Sequence, residues 1–171
     1  MQNQHAISLP IKLGIVGGGY GVALLVGLLV AQTGIWMTAG NNQASGGMAA
    51  FGDCVLFLGV FGAAAIIPTC AVYYFLRPLR SFWTVYGGGA LLLAATALAS
   101  AAVFFLTRDD PGASGWLNLA VLRLVAAPPF AILMFLGGIF SPMASSRWML
   151  FAGGVLESIA FAAFLLILVL R

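Results

Sequence analysis

The sequence predicts an all-α membrane protein, a single bundle of about five transmembrane helices with a cytoplasmic amino terminus and an exported carboxyl terminus. Its composition is the first observation: 63% of the 171 residues are hydrophobic and 6% are charged, whereas soluble domains are about 25% charged. The second is a series of long apolar runs, each near the ~20 residues that a helix needs to cross a bilayer. The charged side chains are too few to cover the surface of a soluble fold of this length. Lipid must therefore surround the apolar side chains in place of water.

The five apolar runs are separated by polar or proline-containing breaks. The first lacks a good cleavage site at Ala31-Gln32-Thr33, so we expect a retained helix and not a signal peptide. The second ends at Arg77-Pro78-Leu79-Arg80, and the third ends at the charged stretch around Asp109 and Asp110. Within one domain, 1–171, the predicted spans cover roughly 11–32, 50–76, 82–106, 116–140 and 148–170.

The basic residues set the predicted orientation. With five spans, the amino terminus and the second and fourth connections share one side. That side carries Lys12, Arg77, Arg80 and Arg147. The other side carries Arg108 and Arg171. Cytoplasmic connections are enriched in Lys and Arg, so we expect a multi-pass protein of the cell (inner) membrane with its amino terminus in the cytoplasm.

The tryptophans fall at predicted span ends or in adjacent loops, where the ring prefers the headgroup level. We therefore predict that all of them are interface anchors. They are Trp36, Trp83, Trp116 and Trp148.

Four glycines of the first span share one helix face at i, i+3, i+4 and i+7 spacing. They are Gly14, Gly17, Gly18 and Gly21. Small residues at such spacing let helix backbones approach closely in lipid, so this face is predicted to pack tightly, within the chain or between copies. No phosphate loop is expected, because neither a Lys-Ser pair nor a G-x-G-x-x-G pattern follows in a strand–helix context.

Prolines interrupt two of the predicted spans. Pro68 should kink the second, with Thr69 or a neighbouring helix satisfying the freed backbone groups. Pro128 and Pro129 should interrupt the hydrogen bonding of the fourth. Broken helices mark binding sites in some transporters, although simple kinks are the commoner case.

Three ionisable residues lie inside the predicted spans, and such residues are functional candidates because they are costly in lipid. Asp53 and Arg123 are expected at similar depths, so they could form an ion pair that pins two helices or contacts an anion or substrate. Glu157 is expected near the midplane, protonated because burial penalises its charged form. It lies level with Phe130, roughly 10 Å deeper than Arg123, which disfavours a direct pair.

Three roles for Glu157 remain open from the sequence. A protonated carboxyl could donate to a backbone carbonyl freed by Pro128 or Pro129. It could instead carry a proton or bind a cation, or it could contact a partner subunit.

Recognisable chemistry is absent from the sequence. There is no H-E-x-x-H, C-x-x-C or G-x-S-x-G pattern, and His5 is the only histidine and lies outside the spans. Asp109 and Asp110 have no further acidic ligand nearby. We therefore expect no catalytic residues, metal or cofactor, and the scattered basic residues predict no nucleic-acid binding.

One segment resembles a known group of proteins. The stretch Tyr74-Phe75-Leu76-Arg77-Pro78-Leu79-Arg80-Ser81-Phe82-Trp83-Thr84-Val85 is similar to a segment of small, uncharacterised bacterial multi-spanning membrane proteins. The resemblance covers this boundary best and the rest of the chain loosely. It implies a bacterial membrane origin and brings no activity with it.

The sequence thus favours a non-enzymatic membrane protein, an accessory or assembly subunit acting through helix–helix contacts. Its expected partners are the lipid bilayer and either another membrane protein or further copies of the chain. The alternative is a small transporter or channel component that uses Arg123 and Glu157 near the broken fourth helix. A lipid-processing enzyme is a third, less favoured, hypothesis.

Overall fold

The computed structural model describes residues 8–38, 46–108 and 114–170, and every regular element within them is an α-helix. The helices are α1 (Leu9–Thr38), α2 (Gly46–Leu76), α3 (Arg80–Thr107), α4 (Ser114–Val125), α5 (Ala127–Phe140) and α6 (Ala144–Val169). The all-helical prediction is confirmed for these residues. The connection at 39–45 and the Asp109–Asp110 pair lie outside the described residues.

Five helical segments among the described residues are long and apolar enough to cross a membrane. They are Leu9–Trp36, Gly52–Leu76, Arg80–Thr107, Gly115–Phe140 and Ala144–Val169. The fourth contains both α4 and α5. The predicted number of helices long and apolar enough to span is confirmed for the described residues, and the predicted ends differ from these by a few residues, as expected when helix ends are placed from sequence.

The chain groups into two compact units, Met1–Phe75 and Leu76–Arg171. We call them the hairpin unit and the four-helix unit. A single domain over the whole chain stays a prediction.

The hairpin unit consists of α1 and α2 packed antiparallel. Near the start of α1, the Lys12 ammonium lies 5.6 Å from the centre of the Phe75 ring, close to the end of α2. Near the end of α1, a Cβ added at Gly34 would lie 3.2 Å from Leu56, towards the start of α2. Positions rise along α1 while they fall along α2, which establishes the antiparallel arrangement.

Helices α1 and α2 approach each other closely at Pro68. A Cβ added at Gly19 would lie 2.9 Å from Pro68 Cβ, so only glycine fits there without a shift. Helix α2 continues through Pro68, and the Thr69 hydroxyl donates to the carbonyl of Ala65 at 2.7 Å. The Tyr20 hydroxyl must then be the donor in its 2.8 Å contact with Thr69, because a hydroxyl has one proton to give.

The glycine face predicted on α1 is not the face that packs against α2. A Cβ added at Gly14, Gly17, Gly18 or Gly21 would meet no heavy atom of the hairpin unit within 4 Å. The glycines in close contact with α2 are Gly19, Gly27 and Gly34. A run of three consecutive glycines at 17–19 places small residues on several sides of a helix, and close packing of the predicted face between copies stays a prediction.

In the four-helix unit, α3 and α6 lie side by side and parallel. Gly87 of α3 approaches Ser146 of α6, and at the opposite end the Phe104 and Phe164 rings lie 5.0 Å apart. A Cβ added at Gly153 would lie 3.4 Å from the Ala90 carbonyl oxygen. Helix α5 packs against α6, and α4 packs against α3.

Three tryptophans are exposed at or near helix ends: Trp36, Trp116 and Trp148. Trp83 differs, because it is 0% exposed. Its indole Nε1 donates to the Leu76 carbonyl at 3.1 Å, and its ring packs edge-on against Phe82. The ring therefore completes the packing at the start of α3, and the role of the four tryptophans as interface anchors stays a prediction.

The contact of Gly19 with Pro68 yields a test of the hairpin unit. Gly19→Ala should lower the free energy of unfolding in detergent by about 1–3 kcal/mol, because the added methyl meets a rigid ring. Gly18→Ala is the matched control. With nothing within 4 Å of its Cβ, it should be neutral or gain up to about 1 kcal/mol from helix propensity. Equal thermal stability of the two variants would contradict the packing described here.

Candidate functional site

The polar centre of the four-helix unit lies about halfway along its two longest helices, α3 and α6. Glu157 is near the middle of α6, and Leu93 and Thr96 are near the middle of α3. Arg123 lies in the last turn of α4. Three helices therefore each supply one part of a single cluster.

Arg123 and Glu157 form a two-point ion pair. Arg123 Nη1 donates to Glu157 Oε2 at 3.2 Å, and Nη2 donates to Oε1. The Glu157 side chain is 0% exposed and that of Arg123 is 16% exposed. Paired hydrogen bonds of this kind fix the relative orientation of the two groups as well as their distance.

Helix α3 binds the remaining edge of the guanidinium. Arg123 Nε donates to Thr96 Oγ1 at 3.0 Å, and Nη2 donates to the Leu93 carbonyl at 2.8 Å. The Thr96 hydroxyl itself donates to the same carbonyl at 2.7 Å, which leaves its oxygen free to accept from Arg123. Four of the five N–H groups of the guanidinium are thereby engaged.

An aromatic ring closes the cluster. The central carbon of the Arg123 guanidinium lies 5.2 Å from the centre of the Phe130 ring, within the range of a cation–π contact. Among the described residues, no buried side-chain nitrogen or oxygen lacks a hydrogen-bond partner. The arrangement is therefore electrically neutral and fully bonded on its buried side.

This geometry differs from the sequence-based prediction for Glu157. The depth argument disfavoured a direct pair with Arg123, and a protonated Glu157 was expected to donate to a freed carbonyl. Both rested on the positions of the backbones. The Arg123 side chain extends along its helix towards the middle of the span, where Phe130 and Glu157 lie, and not outwards to the interface. A long side chain thus spans the difference in depth.

The break in the fourth span lies next to this cluster. Ala126 separates α4 from α5 and still donates its N–H to the Leu122 carbonyl at 3.2 Å. Pro128 and Pro129 occupy the first turn of α5, where proline is tolerated because the N–H groups there have no helical acceptor. The break makes Arg123 a residue of a helix C-terminus, where a positive charge interacts favourably with the helix dipole.

The other sequence-predicted candidate lies in the hairpin unit. Asp53 Oδ1 is 3.8 Å from the position of a Cβ added at Gly34. The carboxylate partner that the structure gives Arg123 is Glu157. No group of three or more His, Cys, Asp or Glu side chains within the described ranges could hold a metal ion.

Sequence reasoning missed the contribution of α3. Thr96 is a polar residue in the alanine-rich stretch Ala94-Ala95-Thr96-Ala97, and that contrast was the available signal. The Leu93 carbonyl left no signal, because any residue carries one. A threonine at mid-span facing a partly buried arginine is a predictable acceptor only once the rotations of both helices are known.

Comparisons with protein-family models, curated proteins and solved structures gave no match to this chain. Fold and site therefore define a class only. The described chain is all-helical, with five helices long and apolar enough to cross a membrane, an architecture compatible with a multi-pass integral membrane protein. At the centre of its four-helix unit is a neutral arginine–glutamate pair whose hydrogen bonds link three helices.

A double-mutant cycle tests the importance of this pair. Arg123→Leu or Glu157→Leu alone should each lower the free energy of unfolding by about 3–5 kcal/mol, because each leaves a buried charge without its partner. The double variant should lose less than the sum of the two, measured by denaturant titration of the purified protein. Additive losses would mean that the two side chains do not interact.

Proposed function

We propose that this chain is a non-enzymatic integral membrane protein, an accessory or assembly subunit that acts through contacts of its helices with other membrane proteins or with copies of itself. The observation that carries the proposal is the closed state of the polar centre. Both carboxylate oxygens of Glu157 are bound to Arg123, and the side chain is 0% exposed. A carboxylate so enclosed offers no atom to a substrate, which favours interaction through the helix surfaces.

Helix α1 has a surface suited to this role. Its four predicted packing glycines have open space around them within the hairpin unit, and small residues permit close helix contacts in lipid. Arg77, Arg80 and Arg147 support the cytoplasmic amino terminus proposed above. The resemblance of the Tyr74–Val85 segment motivates a bacterial cell membrane as the setting.

A second candidate function rests on the location of the ion pair. Arg123 and Glu157 meet at mid-span, beside the break between α4 and α5. Intramembrane ion pairs next to interrupted helices occur in ion and substrate pathways. On this alternative the chain is a small transporter or channel component, and the pair described here is its closed state.

The accessory role predicts a partner that depends on α1. Native mass spectrometry of the tagged protein, extracted gently from its own membrane, should show a stoichiometric protein partner or a homo-oligomer. Gly17→Leu and Gly21→Leu should reduce that species about tenfold or more, because the new side chains keep the two backbones apart.

The matched control for these variants is Gly59→Leu on α2, which also has nothing within 4 Å of its Cβ. It should leave the assembly intact. Loss of the partner in all three variants would point to a general defect, and retention in all three would exclude this face of α1. A bare monomer that carries a small bound ligand would favour the transport alternative.

The transport alternative makes its own prediction. Glu157→Gln keeps the size of the side chain and one acceptor oxygen, but it removes the charge and replaces the other acceptor with an NH2 donor. In proteoliposomes it should abolish proton- or cation-coupled uptake while thermal unfolding still shows a folded protein. Uptake equal to that of the unaltered chain would exclude Glu157 as a coupling group.

A further inference from the structure

The fourth span carries a charged residue and two consecutive prolines in its interior. Gly115–Phe140 contains Arg123 as well as Pro128 and Pro129 near its middle. Each proline lacks an N–H, so the Leu124 and Val125 carbonyls lose the donors that lie four residues on. In lipid, an unpaired carbonyl and an isolated charge both oppose insertion. This span is therefore poorly suited to enter the membrane alone.

The matching charge lies in the next span. Glu157 is the only charged residue in the interior of α6, between Arg147 and Arg171, and its carboxylate binds Arg123 at two points. Helix α3, which precedes the fourth span in the chain, offers Arg123 only neutral acceptors, Thr96 Oγ1 and the Leu93 carbonyl. The counter-charge for α4 thus comes after it in the chain.

The connection between the two spans is short and well bonded. Three residues, Ser141–Met143, join α5 to α6. The Ser141 N–H donates to the Gly137 carbonyl at 2.9 Å, and Arg147 Nη2 donates to the Ser141 carbonyl at 2.9 Å. A turn held in this way keeps the two helices adjacent from the moment both are made.

The two helices also pack on each other directly. A Cβ added at Gly138 would lie 3.1 Å from the Phe151 ring, and one added at Gly154 would lie 3.0 Å from the Phe135 ring. These contacts involve α5 and α6 alone. The pair is therefore able to associate without help from the earlier helices.

We infer that the fourth and fifth spans enter the membrane together as one charge-paired hairpin, with Glu157 neutralising Arg123 during insertion. This inference rests on the membrane location in the proposed function. It follows that Glu157 determines the side of the membrane on which the turn between the two spans lies, but only when Arg123 is present.

The test uses the full-length chain with Cys54→Ala and Cys70→Ala and a single reporter, Ser145→Cys, at the exposed start of α6. Pulse-labelled bacterial cells are treated with a membrane-impermeant maleimide before and after permeabilisation. In this background chain the reporter should react only after permeabilisation. Glu157→Leu should raise the fraction that reacts in intact cells by about tenfold or more, because Arg123 enters uncompensated.

The decisive comparison is the Arg123→Leu/Glu157→Leu chain, which should return the reaction in intact cells to background. Thr96→Val is the matched control, since it removes a neutral acceptor of Arg123 and should leave sidedness unchanged. Pulse labelling reads the side on which the turn lies before misfolded chains are degraded, so the assay does not require a folded product.

Two outcomes overturn the inference while leaving the proposed function standing. In one, the fraction of Glu157→Leu that reacts in intact cells equals that of the background chain. In the other, the double variant reacts in intact cells as much as Glu157→Leu does. The first would mean that the ion pair forms only after insertion, and the second that Arg123 is not the reason for the shift. Recovery of the background chain outside the membrane fraction would instead overturn the proposed function, and this inference with it.

Discussion

The four-helix unit depends on one requirement, which is that the charge of Arg123 must be met inside an apolar bundle. Arginine remains charged in proteins, so it cannot escape burial by losing a proton. The surrounding helices bring acceptors to it: a carboxylate from α6, and a hydroxyl and a carbonyl from α3. Because these bonds have fixed directions, they determine the rotation and depth of α4 relative to both neighbours.

Small residues make this arrangement sterically possible. The guanidinium reaches α3 and α6 at once only if these two helices lie close together, and Gly87, Ala90 and Gly153 lie in their contact. In lipid there is no hydrophobic gain from bringing two apolar helices together, so close backbone packing and interhelical hydrogen bonds must supply the stability. Close packing at the small residues and the ion pair therefore depend on each other. A large side chain at Gly153 would weaken both the packing and the pair.

The features that could be predicted from the sequence are those fixed locally along the chain. Apolar length gives the spans, and the consecutive prolines at 128 and 129 mark the place where the fourth span divides. The choice of partners could not be predicted, because it depends on helix rotation and side-chain reach. Arg123 pairs with Glu157 because its side chain runs towards mid-span. In the hairpin unit, Gly19 and not Gly18 contacts α2. At the start of α3, the Trp83 side chain is buried.

The break in the fourth span bears on the choice between the two functional hypotheses. Helix α4 is fastened to α6 by the ion pair, and α5 is fastened to α6 by glycine–phenylalanine contacts. The two halves of the span are thus held separately, and the break does not act as a free hinge in this state. A transport cycle that used Glu157 would have to separate a fully bonded pair in a medium of low dielectric constant, at a cost of several kcal/mol. A protein whose role is to hold its helices in place does not have to separate this pair. The described contacts favour that role.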